Sequence, residues 1–278
     1  MKTFVKKSAN TFLNALGFEV RRIKPKGSSK YSNFDEEQII AAYLERIKLQ
    51  SQYCVDIGAN DGITMSNTFA LFSNGWEGLA IEFDGEKFSK LTYAYKKFQK
   101  TYLCKCKATP ENIVALLKAC QAPREIGFLN LDIDGYDYYV LDRIMGSFRP
   151  SLLCVEINEK IPPPLKFTVK WDPDYVWRED HFYGQSISQL DMLCNQYGYA
   201  LVKLHYNNAF LIPREISPDP ALSPVEAYRT GYLEYSDRKE KFPWNADMEE
   251  LLNLRPEEAR DFLNKFFEAY TGKYVLDL

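Results

Sequence analysis

Histidine is nearly missing from this chain, with two in 278 residues, His181 and His205. Acid–base chemistry at an imidazole therefore has two candidates to draw on. Cysteine pairing is also lacking. Cys54, Cys104, Cys106, Cys120, Cys154 and Cys194 contain no C-x-x-C pair, and four of them fall inside apolar strand patterns. That spacing argues against a zinc or disulfide framework and for reduced core thiols in a cytosolic protein. No apolar run approaches the roughly 20 residues of a spanning helix, and Lys6, Lys7 and Asn10 interrupt any secretory-signal core. A strong charge of one sign is absent too: the formal net charge is -3, which argues against a general nucleic-acid binder.

What is present suits a large core, with 46% hydrophobic and 15% aromatic residues. The charge is uneven. Lys2, Lys6, Lys7, Arg21, Arg22, Lys24, Lys26 and Lys30 face only Glu19 in the first thirty residues. Phe4, Val5, Phe12, Leu13 and Leu16 could share a helical face beside those lysines, giving either a helix docked on the domain or a peripheral contact with an anionic membrane.

From residue 34 onward, helical stripes alternate with short apolar strands. Helices are expected over 34–49, 64–73, 85–98, 109–120, 137–147 and 187–197, and strands over 52–57, 79–83, 101–106, 126–134 and 152–157. That alternation implies an α/β parallel sheet covered on both faces. A closing pair, 199–204 and 208–212, is joined by Tyr206-Asn207, too short for a crossover, so the final strand runs antiparallel. Residues 1–30 read as a basic segment and 31–212 as the main domain. Within the domain, 159–184 is a proline-rich aromatic insertion, and 213–278 is a helical extension able to cap the domain or form a homodimer surface.

The chemistry collects at strand ends. Residues 53–62 run from an apolar strand into a glycine turn holding Asp56 and Asp61, and later strands end at Glu82, at Asp132 and Asp134, and at Glu156. In open α/β sheets ligands bind beyond the carboxyl ends of the strands. Carboxylates there would repel a pyrophosphate and welcome a cation. Glu82, in an otherwise apolar strand, is set to accept from ribose hydroxyls, whereas Asp61 and Asp84 also suit helix N-caps. Asp134, Asp137, Glu156 and Asn158 could hold magnesium. Equally, Asp137 could cap its helix and Asp132 anchor backbone amides. Asp134 is the preferred base or metal ligand, with His205 and His181 as further catalytic candidates. Trp171, Tyr175, Trp177 and Tyr183 could form a platform for a sugar ring or simply pack the insertion.

Val55-Asp-Ile-Gly-Ala-Asn-Asp-Gly62, Gly75-Trp-Glu-Gly78 leading to Ile81-Glu82, Thr109-Pro-Glu-Asn112, Phe128-Leu-Asn-Leu-Asp-Ile-Asp-Gly135 and Val155-Glu-Ile-Asn158 follow in that order. Together, over roughly residues 50–212, they resemble the FkbM-type S-adenosylmethionine-dependent methyltransferases. The resemblance implies a Rossmann-like seven-stranded class I methyltransferase sheet with its last strand antiparallel. It implies S-adenosyl-L-methionine as cofactor, with Asp56, Gly58, Asn60 and Gly62 at its methionine end, Glu82 on the ribose, Ala108 and Thr109 toward the adenine, and Asp61 and Asp132 as further cofactor-binding residues. It also implies O-methylation of a sugar or glycan hydroxyl by a cytoplasmic enzyme. The strand-four motif departs from the family's more usual Asp-x-Glu-Gly. Two other classes stay open: a metal-dependent glycosyltransferase using Asp132-x-Asp134, and a non-catalytic binding module on the same fold. A haloacid-dehalogenase phosphatase would need Thr or Val where Tyr136 stands.

Overall fold

The structure is a computed structural model that describes residues 30–278; the basic segment read over 1–30 lies, apart from Lys30, outside them. Helix α1 (Glu36–Arg46) precedes five parallel strands: β1 (Tyr53–Ile57), β2 (Glu77–Glu82), β3 (Thr101–Lys105), β4 (Phe128–Leu131) and β5 (Leu152–Glu156). Between them run α2 (Phe69–Ser73), α3 (Gly85–Tyr95), α4 (Ile113–Ala119) and α5 (Asp137–Met145). After the insertion, which carries β6 (Lys166–Val169), come α6 (Ile187–Tyr197), β7 (Tyr199–His205) and β8 (Asn208–Pro213).

The main sheet has the order β3-β2-β1-β4-β5-β8-β7. β8 is antiparallel to both its neighbours and sits one place in from the edge. Strands β1 and β5 are buried along their whole length, as parallel strands covered on both faces must be. Alternation sorts their side chains into two cores. Val55, Ile57, Leu129 and Leu153 pack with α4, α5 and α6, while Cys54, Phe128 and Cys154 pack with α1, α2 and α3. Asp56 and Asn130, directly paired across β1 and β4, face the second side. All six cysteines are free thiols.

Several elements are shorter than their sequence patterns, three of them for a visible local reason. Residues 61–68 form a loop rather than helix, because Met65 takes a left-handed conformation (φ 56°) and Ser66 Oγ accepts from Phe69 N, holding the chain outside the helix until Phe69. Thr109 and Asn112 bond each other's backbone amides in a turn, so α4 starts at Ile113. β4 stops at Leu131, and Asp134 (φ 51°) bends the chain away from the sheet. Asp132 and Asp134 therefore belong to a loop and not to one face of a strand.

The insertion and the C-terminal extension share a third core. Beyond β8 come α7 (Pro224–Tyr228), α8 (Arg238–Lys241), a 3-10 segment (Pro243–Asn253), α9 (Pro256–Phe266) and β9 (Tyr274–Asp277). β9 pairs antiparallel with β6 of the insertion. Leu251, Leu263 and Phe267 pack there against Leu165, Phe167 and Phe182. Among the described residues, no helix is long and apolar enough to cross a membrane.

Candidate active site

The loops after β1, β2 and β4, together with part of the insertion, enclose a cavity of about 420 Å³ at the carboxyl ends of the strands. The loop after β1 crosses toward β2, where Gly58 N and Ala59 N both donate to Ile81 O (3.0 and 2.9 Å). It also lies flat on the loop after β4. A Cβ on Gly58, whose φ is +91°, would sit 1.7 Å from the Asp132 carbonyl oxygen. Glycine is required here by contact as well as by conformation.

Glu82 is fixed by two backbone amides. Its Oε2 accepts from Asn60 N at 2.8 Å and its Oε1 from Asp84 N at 2.6 Å. Asn60 reaches it from a left-handed conformation (φ 51°). Glu82 as a whole is 8% exposed and borders the cavity. Each oxygen has a second lone pair for an incoming donor. Asp56 lies deeper, accepting from Thr68 Oγ1 (2.5 Å) and Asn130 Nδ2 (3.0 Å). Burial lifts its carboxyl to about 6 despite those bonds. Asn67 Nδ2 extends the network to Asn130 Oδ1 at 3.0 Å, and its own Oδ1 has no partner among the described residues.

Across the cavity, Asp132, Asp134 and Glu156 each offer an oxygen within 4.8 Å of the others. Burial raises the Asp134 carboxyl to about 6, with the Asp137 charge adding to the effect. Asp132 and Glu156 are pushed well above the ordinary range by burial and by their acidic neighbours. Three carboxylates this close keep at least one proton among them unless a cation joins them. Asp132 and Asp134 line the cavity, and Glu156 stands behind them.

The structure redraws the expected magnesium set. Asp137 turns both oxygens into the β4 loop, accepting from Ile133 N (3.0 Å) and Gly135 N (2.9 Å). Asn158 donates to His181 O (2.9 Å) and Tyr183 O (3.0 Å), tying the insertion to the end of β5. Asp137 does not join the acidic group, where Asp132 stands in its place, and the Asn158 Oδ1 is buried with no partner among the described residues. The histidines also lie elsewhere. His181 meets Asp247 at 3.2 Å and packs its ring on Phe266, facing the C-terminal extension. His205 is buried with Nδ1 3.0 Å from Tyr235 Oη, and burial lowers its pKa to about 4. Neither borders the cavity.

Three cofactor candidates are likewise structural in position. Asp61 accepts from Ile63 N (2.8 Å) and Thr64 N (2.6 Å) in a turn. A Cβ on Gly62 would run into Leu91 and Tyr95 at 2.5 and 2.6 Å, so this glycine admits α3 and not a ligand. Thr109 is held in its turn with Asn112, while Ala108 does reach the cavity wall. Sequence reasoning passed over Asn67, Asn130 and Lys107. Asn130 carried a readable signal, a polar residue inside an apolar strand, the same one that singled out Glu82. Of the four insertion aromatics, Tyr175 and Trp177 border the cavity. Trp171 packs edge-on against Tyr136, and Tyr183 is buried with Glu159 and Lys160.

The sheet order, with its single antiparallel strand and helices on both faces, defines a Rossmann-like class I methyltransferase fold. No family model matches the chain, and no curated protein matches it by sequence. Solved structures similar to it include precorrin-6y C5,15-methyltransferase from Geobacter metallireducens, at 13% identity over 68% of this chain and 94% of that one (TM-score 0.40). Another is the N-terminal domain of EvdMO1 with SAH bound, at 12% over 75% and 96% (TM-score 0.46). A third is M. capricolum TrmK in complex with S-adenosyl-homocysteine, at 10% over 83% and 96% (TM-score 0.43). At these identities the likeness concerns the fold alone.

Proposed function

We propose that the chain is an FkbM-type S-adenosylmethionine-dependent O-methyltransferase that acts in the cytoplasm on a hydroxyl of a sugar or glycan. The observation that supports this reading best is Glu82. Its carboxylate stands at the end of β2, oriented by two backbone amides, on the wall of a cavity whose far side is acidic. A cavity of this volume falls within the roughly 300–1,000 Å³ typical of small-molecule sites. Acceptors on both walls suit a ligand with ribose hydroxyls at one end and positive charge at the other.

S-adenosylmethionine supplies an activated methyl group on a sulfonium. Glu82 would accept from the ribose hydroxyls, and Gly58 and Asn60 would let backbone approach the methionine end. Asp134, titrating at about 6, is ionised at neutral pH and would take the proton that the acceptor hydroxyl gives up as its oxygen is methylated. Asp132, Asp134 and Glu156 form a hard oxygen set that suits magnesium, which would relieve their mutual repulsion and orient the acceptor oxygen.

Calorimetric titration with S-adenosylmethionine and with UDP-sugars, each with and without magnesium, tests the proposal. Saturable S-adenosylmethionine binding that is lost in Glu82→Ala supports it. Binding of UDP-sugars alone overturns it in favour of a glycosyltransferase using Asp132 and Asp134. Cofactor binding without turnover on any hydroxyl acceptor would point to a binding module.

A further inference from the structure

Four large apolar side chains stand out of the protein around the cavity mouth. Met65 is 61% exposed, Phe83 58%, Val176 63% and Trp177 36%, and all four border the cavity. They come from three separate segments, the loops after β1 and β2 and the insertion. Their outward positions are built in. Lys107 Nζ donates to the carbonyls of Pro173 and Tyr175 (both 2.7 Å), and Tyr175 Oη donates to Phe182 O (2.7 Å), which fixes the segment bearing Val176 and Trp177. Trp177 Nε1 donates to Asp180 O at 2.9 Å, so its polar atom is satisfied while its ring stays at the surface. Exposed apolar side chains gathered at one place mark a contact surface.

The polypeptide enters the described fold at this collar. Ser32 bridges Met65, and the Tyr31 ring lies 4.6 Å from that of Phe69. The 29 residues that precede this point in the sequence carry seven Lys or Arg against one acid, Glu19. Charges on the collar itself are mixed, with Asp84 set against Lys87 and Lys107. Strong positive charge thus joins the protein beside an apolar ring around an open cavity. That pairing is what a peripheral protein needs to hold an anionic bilayer, apolar insertion and electrostatic attraction each being weak alone. A protein partner seated on the same ring would close the mouth through which an acceptor must pass.

We propose that the collar of Met65, Phe83, Val176 and Trp177 seats on an anionic lipid surface, and that the acceptor hydroxyl belongs to a lipid-held molecule presented from it. The docking stands on the surface alone, and the acceptor class rests on the methyl-transfer reading above. Flotation of the full chain with vesicles of phosphatidylcholine, with and without phosphatidylglycerol, tests it. The parent partitions onto phosphatidylglycerol vesicles and is released by salt. Replacing two inserted side chains, in Met65→Ser/Val176→Ser, weakens partitioning about tenfold or more. Arg21→Glu/Arg22→Glu/Lys24→Glu/Lys26→Glu weakens it about a hundredfold or more. Brominated lipid quenches tryptophan emission in the parent and measurably less in Trp177→Phe, a readout that does not depend on the serine variant folding. Indifference of the parent to anionic vesicles, full partitioning of the serine variant, or equal quenching with and without Trp177 overturns the proposal. The S-adenosylmethionine titration, run without vesicles, reports separately: docking with no cofactor binding would sink the methyl-transfer reading and leave the surface assignment standing.

Discussion

Replacing Glu82 by glutamine is the sharpest test of the cavity. The change keeps shape and length and removes only the charge and one acceptor. Both carboxylate oxygens face backbone donors, Asn60 N at 2.8 Å and Asp84 N at 2.6 Å. Either orientation of an amide therefore aims an NH₂ group at an N–H, and one partly buried donor loses its partner. That costs about 1–3 kcal/mol of stability. The damage spreads, because Asp84 is also the N-cap of α3, accepting from Glu86 N and Lys87 N. Hydrogen bonds to a charged acceptor are worth about 1.5–3 kcal/mol each, so if Glu82 receives the ribose as proposed, the change lowers S-adenosylmethionine affinity about ten- to a hundredfold. Glu82→Ala abolishes measurable binding. Urea denaturation and calorimetric titration of parent, glutamine and alanine proteins provide the measurements. A glutamine variant with the parent's denaturation midpoint and the parent's affinity would refute both the role of Glu82 and the geometry behind it.

Gly58→Ala forces a Cβ into the Asp132 carbonyl and should destabilise the fold by about 3 kcal/mol or more, seen as a lowered melting temperature. His205 is held neutral, with its pKa lowered from 6.5 to about 4. Its contribution is complete above pH 6.5 and is lost as pH falls toward 4, by up to about 3 kcal/mol. Asp56, raised from 3.8 to about 6, works the other way, losing stability as pH rises through that window. The histidine effect is therefore read as the difference between His205→Gln and parent in denaturation series near pH 7.5 and pH 4.5, the acid loss being smaller in the variant. His181 faces the C-terminal extension, so His181→Ala should leave turnover within about twofold, whereas loss of a general base lowers rates by about a hundredfold or more.

The sheet could be read from the sequence because its central strands are buried on both faces and so appear as short, mostly apolar words. A single acid at a strand's end, as at Glu82, then stands out. The two-residue Tyr206-Asn207 link allowed only a hairpin, and hence the antiparallel strand. Other features had no local signature. β6 and β9 are four residues each and meet across more than a hundred positions, so neither shows its partner nearby. Asp137 has the right chemistry for a metal ligand, but backbone amides take both its oxygens, and only coordinates reveal that competition. Asp132, which sequence reading assigned to the cofactor, joins Asp134 and Glu156 because β4 ends at Leu131 and frees the loop to turn back toward β5.

The pairing of β6 with β9 has a bearing on how the molecule is made. As the chain leaves the ribosome, all seven strands of the main sheet can assemble while residues 274–277 are still to come. Until residues 274–277 emerge, β6 lacks its pairing strand, and the third core, which Tyr175 joins, lacks Tyr274 and Leu276. The cavity wall that Tyr175 forms therefore gains its backing only after the main sheet can close, through residues far along the chain from the strands that carry the acids.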